Sequence, residues 1–539
     1  MNFACILCLA LTALAPQVVE HPRGVKAEEA YTRGSEAAKA GRLDEALKEL
    51  DRAAALAPGD PKVHNLTGLV FTRLGRYEEA EAAYNRALKL APSFVPARKN
   101  RAVNYFSRRD FAAASSEFEA LTRLVPNDFV PRLFLGLLAL EEGNFETALL
   151  RLQEAEKRAP GKSQVLIPLT RAYFLAGQRE AALSTFRNLN LESAECNDSE
   201  RFELGVLLAE FGENSEAERI FADLSSRNVR PYDSAFNLAL LRYRAGQNED
   251  ALGTIEDKLS RGTPTGEVLS LQAWIYNRMG RLELARQSLE QAIATDPDAV
   301  EHYLDLSMVH VRRGDYLAGL EVLSRAVERG IKGGQLEVQI GLVNQAAGRN
   351  PVAEKQYRRT IELYPRYVAA YMALASLLLT TGRSGEAVRL LARAAGALPR
   401  QALIQRTYGA LLLGRAESSH PEELEEAGQI LQRAQQLDPR NAETAFALGK
   451  YFALRKDDHS AEKYFRQACS LNPRHVESYY RLSRLARQGG ELEKAAELGR
   501  IVEKLRADQR AEEKEQFARL VEESVRGERG RAIKGAGQN

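Results

Sequence analysis

Residues 75–92 read Gly75-Arg76-Tyr77-Glu78-Glu79-Ala80-Glu81-Ala82-Ala83-Tyr84-Asn85-Arg86-Ala87-Leu88-Lys89-Leu90-Ala91-Pro92. Ala80 and Tyr84 stand at i and i+4, a small and then a large apolar residue on one face of a helix. Gly75 closes whatever helix precedes, because glycine enters the left-handed region without steric cost. Pro92 cannot continue a helix and stops the second one. The stretch is therefore one helix with a stop on each side.

Working outward from it, the same arrangement recurs along the chain. Cuts at residues 27, 61, 95, 129, 163, 198, 232, 266, 300, 334, 368, 402, 442 and 476 leave eleven of thirteen spacings at 34 residues, one at 35 and one at 40. We number these units repeats 1 to 14. Position 20 is alanine in thirteen repeats, from Ala46 and Ala80 to Ala461 and Ala495, and Gly319 in the other. Position 8 is always small, as at Gly34, Gly68, Ala102, Gly136, Gly341 and Gly449. Small residues at both places let two helices approach closely. Position 24 is large and apolar, with Leu50, Tyr84, Phe118, Phe221, Tyr357 and Phe465, until Gly499 in the last repeat. Eleven repeats have glycine at position 15 and nine have proline at position 32. A period of this length means stacked two-helix units, each unable to bury its apolar face alone.

These residues resemble the tetratricopeptide repeat family over about residues 27–509. The resemblance implies an all-α fold, a right-handed superhelical solenoid of about 14 two-helix repeats. It implies protein or peptide partners and says little about process. The aromatic preference at position 4 is kept only in part, with Tyr303 and Tyr371 but also Ala30 and Gln405, and repeats 5 to 7 and 9 lack the closing proline. Those middle repeats are expected to pack at altered angles.

The expected organisation is an apolar leader at 1–26, repeats 1–5 at 27–197, repeats 6–11 at 198–401, repeats 12–14 at 402–509 and a charged capping helix and tail at 510–539. Phe3 to Ala15 is an apolar run of the length of a signal-peptide core. Export to a periplasmic or secreted location is the reading it supports, with a buried cap on repeat 1, in a cytoplasmic chain, as the alternative. No run approaches the 18 or so apolar residues of a spanning helix. Repeat 12 carries six extra residues near 414–422, read as a lengthened turn or a binding protrusion.

Seventy-five Lys and Arg against 73 Asp and Glu give a formal charge of +2, so no basic stripe marks a nucleic-acid partner. Cys5 and Cys8 lie in the leader, and Cys196 and Cys469 make no disulfide framework. Gly161-Lys162-Ser163 ends like a phosphate loop, but Glu156 stands where the first glycine belongs. His302 and His310, eight apart on one helix, cannot share a metal. No metal, cofactor or catalytic residue is expected.

The resemblance places ligand contacts at positions 2, 5, 9, 12 and 13 of the first helices. Over repeats 4 to 11 these positions are unusually apolar, and Leu133, Leu137, Phe174, Phe202, Phe236, Tyr243, Trp274, Met308 and Met372 are the candidate peptide-binding residues. Aromatic and Met side chains are the types enriched at interaction surfaces. Position 9 and part of position 5 have a competing use in packing between repeats. The Lys and Asn set with which some family members clamp a carboxylate is missing: Lys99 has position 5, but Val103 and Phe134 stand where asparagines are wanted. The asparagine ladder of repeat-bearing sugar transferases is broken too, with Asn100 and Asn237 isolated. The function expected is a noncatalytic scaffold that holds protein segments, with a substrate-presenting accessory chain of a glycosyl-transfer or secretion system as the alternative. Nothing in the sequence fixes an oligomeric state.

Overall fold

The computed structural model describes residues 22–189, 191, 196–259 and 264–510. The apolar run at 3–15 and the segment 511–539 lie outside the described residues. Among the described residues there is no strand. The chain divides into two compact units, one ending at Thr254 and one beginning at Ile255, so the division falls inside repeat 7.

In the first unit each repeat is a pair of helices, for example Pro61–Arg73 with Tyr77–Leu90 and Val130–Glu141 with Phe145–Glu156. Repeat 1 begins earlier than its frame, with a helix Pro22–Lys39. The position-20 alanines Ala46, Ala80, Ala114, Ala148, Ala182 and Ala217 are all fully buried. Opposite them, in the pairs with glycine at position 8, that position meets position 24. A Cβ on Gly68 would lie 2.6 Å from the Tyr84 ring, and one on Gly136 would lie 2.5 Å from Leu152 Cγ. At Gly68 and Gly136 glycine is thus required by the large residue at position 24 and not by backbone conformation. The main core of this unit runs from Ala102 to Leu241 through repeats 3 to 7.

The second unit opens with a π-helical turn, Ile255–Leu259, and continues with helix pairs such as Gly266–Arg278 with Leu282–Thr295 and Ala442–Leu454 with Asp458–Leu471. Its alanines at position 20, Ala285, Ala353, Ala387, Ala427 and Ala461, are again fully buried. Gly449 stands against Phe465 as Gly68 does against Tyr84. In repeat 14, where Gly499 removes the large residue, the buried Ser483 hydroxyl donates to the Ala495 carbonyl at 2.8 Å.

Helix ends follow from single residues. All eleven position-15 glycines have φ between +73° and +82°. Arg109 and Lys456 hold the same position in repeats 3 and 13 and adopt the same left-handed conformation, at φ +66° and +60°. In thirteen repeats the amide after this residue donates back to the carbonyl five residues earlier, as Arg76 does to Phe71 at 2.9 Å. That bond satisfies an otherwise orphaned helix carbonyl. Repeat 12 is the exception. Ala416 occupies position 15, so the first helix runs on as Ala402–Ser418, 17 residues against the 13 of its neighbour Val368–Thr380. The extra residues are spent on an added turn of helix and a short 3-10 segment, Pro421–Glu423, tied back by Arg415 to Glu423 at 2.9 Å.

Repeats 6 and 9, which lack the closing proline, end their second helices by a different device. Asn228 and Gly330 take left-handed conformations, and Val229 and Ile331 donate to Leu224 and Ala326 at 2.9 and 3.1 Å. In repeat 5 the second helix is cut to the nine residues Arg179–Arg187.

Successive repeats are also joined by ion pairs. Arg151 meets Glu119 at 2.7 Å and Arg179 meets Glu213 at 2.6 Å in the first unit. Arg383 meets Glu354 at 2.6 Å and Lys494 meets Glu462 at 2.8 Å in the second.

Candidate functional site

The first-helix face is built by residues three and four apart, so neighbouring positions on it have different fates. In the first unit Leu133, Leu137, Phe174 and Phe202 are buried within the unit's core. Phe174 stacks on Phe211 with ring centroids 4.7 Å apart, and Phe202 meets Phe221 edge-on at 5.4 Å. The Arg230 guanidinium lies over the Phe202 ring, 3.9 Å from its centroid. These four side chains are committed to packing between helices. Phe236 is half-buried and stacks on the exposed Tyr232. Tyr243 is half-buried, and Val206 at position 9 of repeat 6 is exposed.

The second unit divides the same face more sharply. Position 5 is turned inward, with Ser270 and Val338 buried and Leu304 and Met372 half-buried. Met372 packs against the core of repeats 10 to 13. Position 9 is turned outward: Trp274 is 38%, Met308 42% and Leu342 40% exposed. These three residues occupy one position in three successive repeats whose first helices touch, Gly266–Arg278, Val300–Arg313 and Gly334–Ala346. Leu379, at position 12 of repeat 11, is 40% exposed.

One polar residue fixes the row, and the sequence reading missed it. The Trp274 indole donates to Asp305 Oδ2 at 2.6 Å, from position 9 of one repeat to position 6 of the next. Burial raises the Asp305 carboxyl above its usual range, against the lowering effect of the Trp274 bond. The bond holds the indole plane while its apolar surface stays in water. An acid 31 residues after a lone tryptophan was the available signal. Behind it, the buried His302 ring pairs through Nδ1 with Ser270 at 2.8 Å. Among the described residues no group of acidic, His or Cys side chains is placed to hold a metal. None of the described helices is long and apolar enough to cross a membrane.

An all-helical array of paired helices with an outward apolar row on its first helices defines a repeat protein of the helix-pair class. Tetratricopeptide repeat models match residues 31–93, 100–163, 202–267, 271–333, 338–402 and 459–510, and further models of that description match 139–200 and 442–475. The chain belongs to the tetratricopeptide repeat family. It is 31% identical to human tetratricopeptide repeat protein 13 over 113 residues, 21% of this chain and 13% of that one. It is 22% identical to the BBSome complex member BBS4 homolog of Drosophila melanogaster over 301 residues, 54% of this chain and 62% of that one. Human Superkiller complex protein 3 is 23% identical over 399 residues, 69% of this chain and 25% of that one. The chain thus spans between 13 and 62% of the length of these relatives. Among solved structures, yeast Tom70 aligns with 90% of this chain and 96% of its own at 14% identity and a TM-score of 0.39.

Proposed function

We propose that the chain is a noncatalytic scaffold that holds segments of other proteins on its first-helix face, anchored in the second unit by Trp274, Met308 and Leu342. The observation that carries this reading is the outward row itself. Three large apolar side chains, each about two-fifths exposed, recur at one position of adjacent repeats. Covering the exposed two-fifths of such a side chain is worth about 1 kcal/mol, and aromatic and Met residues supply interfaces with adaptable contact area. Two of the relatives are named as complex members or complex proteins, which agrees with a part in assembly.

The first-unit candidates have a smaller share in the proposal, since of those six side chains only Phe236 and Tyr243 are not buried. For compartment, the apolar run at 3–15 supports export, and sequencing the mature amino terminus tests it.

Trp274 is the chain's single tryptophan, so its fluorescence reports the row directly. Captured partners are expected to shift its emission to the blue, and the pair Trp274→Ala with Met308→Ala to weaken their binding more than tenfold, as hot-spot truncations do. Partners that bind the double variant as tightly as the parent chain overturn the proposal.

A further inference from the structure

The first helices of repeats 12, 13 and 14, together with the second helix of repeat 13, Asp458–Leu471, line a cleft of about 200 Å³ in the second unit. Its floor is apolar, with Leu454, Phe465 and Leu485. Its wall is cationic: Lys450 comes from helix Ala442–Leu454, and Arg481 and Arg484 come from Val476–Gln488. Two acids also reach it, the exposed Asp458 at the rim and Glu417 from the elongated helix of repeat 12.

Glu417 exists at this place because of the extra turn. Without the residues inserted in repeat 12, the helix would end before it. Its carboxylate bridges the wall, with Oε2 2.9 Å from Lys450 Nζ and Oε1 3.9 Å from an Arg481 Nη. Arg484 faces the same cleft and has no carboxylate within ion-pair distance among the described residues. Three cations against Glu417 and the rim Asp458 leave the cleft one positive charge in excess. Lys450 first, and then the two arginines, hold the Glu417 carboxyl below its ordinary range.

We infer that this cleft binds an acidic side chain of a protein segment, flanked by an aliphatic residue that takes the apolar floor, and that Glu417 is an internal carboxylate which the ligand replaces. Charge complementarity names the occupant: cations from two repeats converge where one carboxylate already sits, and arginine forks suit a second. Glu417 is the next-to-last residue of its helix and is 40% exposed, so its side chain can swing into water at small cost. The inference shares with the proposed function only the idea that the partner is a protein, and the two surfaces fail separately.

The test is fluorescence anisotropy of the full chain with a fluorescein-labelled Leu-Glu-Glu-Leu-Glu-Glu peptide and its Leu-Gln-Gln-Leu-Gln-Gln counterpart. The acidic peptide is expected to bind and the neutral one not. Glu417→Gln is expected to tighten binding by about two- to fivefold, since an exposed ion pair of up to about 1 kcal/mol no longer competes. A gain of affinity is not produced by misfolding. Arg481→Gln with Arg484→Gln is expected to weaken binding at least tenfold, about the worth of hydrogen bonds to charged groups. Trp274→Ala with Met308→Ala is expected to leave this peptide's affinity unchanged. The inference is overturned if the acidic peptide does not bind, if Glu417→Gln leaves its affinity the same or weaker, or if the apolar-row variant abolishes its binding. Displacement of the peptide by inorganic phosphate at matched ionic strength also overturns it, in favour of a bare anion site.

Discussion

Replacing Gly449 by alanine puts the close approach of the paired helices to a quantitative test. The new Cβ would lie 2.5 Å from both Phe465 Cδ1 and Cε1, about 1 Å inside ordinary contact, and the ring is fully buried. Overpacking of this kind costs about 1–3 kcal/mol. Alanine returns about 1 kcal/mol over glycine in a helix interior. The overlap involves two ring atoms, which places the cost in its upper half and the net loss at about 1–2 kcal/mol. Repeat 3 shows how the clash is avoided elsewhere: Ala102 has position 8, and the Phe118 ring is stacked on Phe134 at 4.7 Å. Phe465 has only a tilted contact with Phe446 at 5.8 Å. The assay is hydrogen exchange of the repeat 13 helices together with urea unfolding followed by circular dichroism. Phe465→Leu, introduced alone and with Gly449→Ala, closes a double-mutant cycle in which the pair should be less damaging than the sum by about 1 kcal/mol. A neutral or stabilising Gly449→Ala, at unchanged denaturant slope, refutes the argument.

Lys456→Gly should stabilise repeat 13 by about 0.5–1 kcal/mol, because about 1–2 kcal/mol of left-handed strain is relieved against the greater freedom of unfolded glycine. The exposed Lys456 side chain has no hydrogen bond or ion pair to lose among the described residues, and slower amide exchange in residues 442–471 is the readout. Gly330→Ala, at φ +83°, should cost about 1–2 kcal/mol and speed exchange at the end of helix Tyr316–Glu328. Burial lowers the His310 imidazole below its ordinary range, so the unfolded chain takes up the proton first. Stability from this group is present above about pH 6.5 and falls as the pH drops through that region. The thermal midpoint should therefore decline more steeply between about pH 7.5 and about pH 5.5 in the parent chain than in His310→Gln.

The period, the helix stops and the buried stripe could be read from Gly75, Ala80, Tyr84 and Pro92 alone, because each acts through a local constraint. The fate of the first-helix face could not. Positions 5 and 9 lie on one side of the same helix and carry the same residue types, and only the placing of the next repeat turns Leu133 inward and Trp274 outward. In repeat 12 the missing glycine at Ala416 was a visible sign that the helix would continue. A count of extra residues does not say whether they join a turn or a helix, so neither the added turn nor Glu417's place in the cleft was foreseen. Asn228 and Gly330 replace proline as closers, which a search for position 32 alone overlooks.

The ion pairs between successive repeats, such as Arg383 with Glu354 and Lys494 with Glu462, have a mechanical consequence. Within either unit a helix pair is fastened chiefly to its immediate neighbours, the Glu417–Arg481 pair between repeats 12 and 14 being a longer tie. Under a pulling force each fastening bears the full load by itself, because links in series do not share tension. The unit will yield at its weakest joint while the others remain intact, and raising the ionic strength will lower that yield point by screening the pairs.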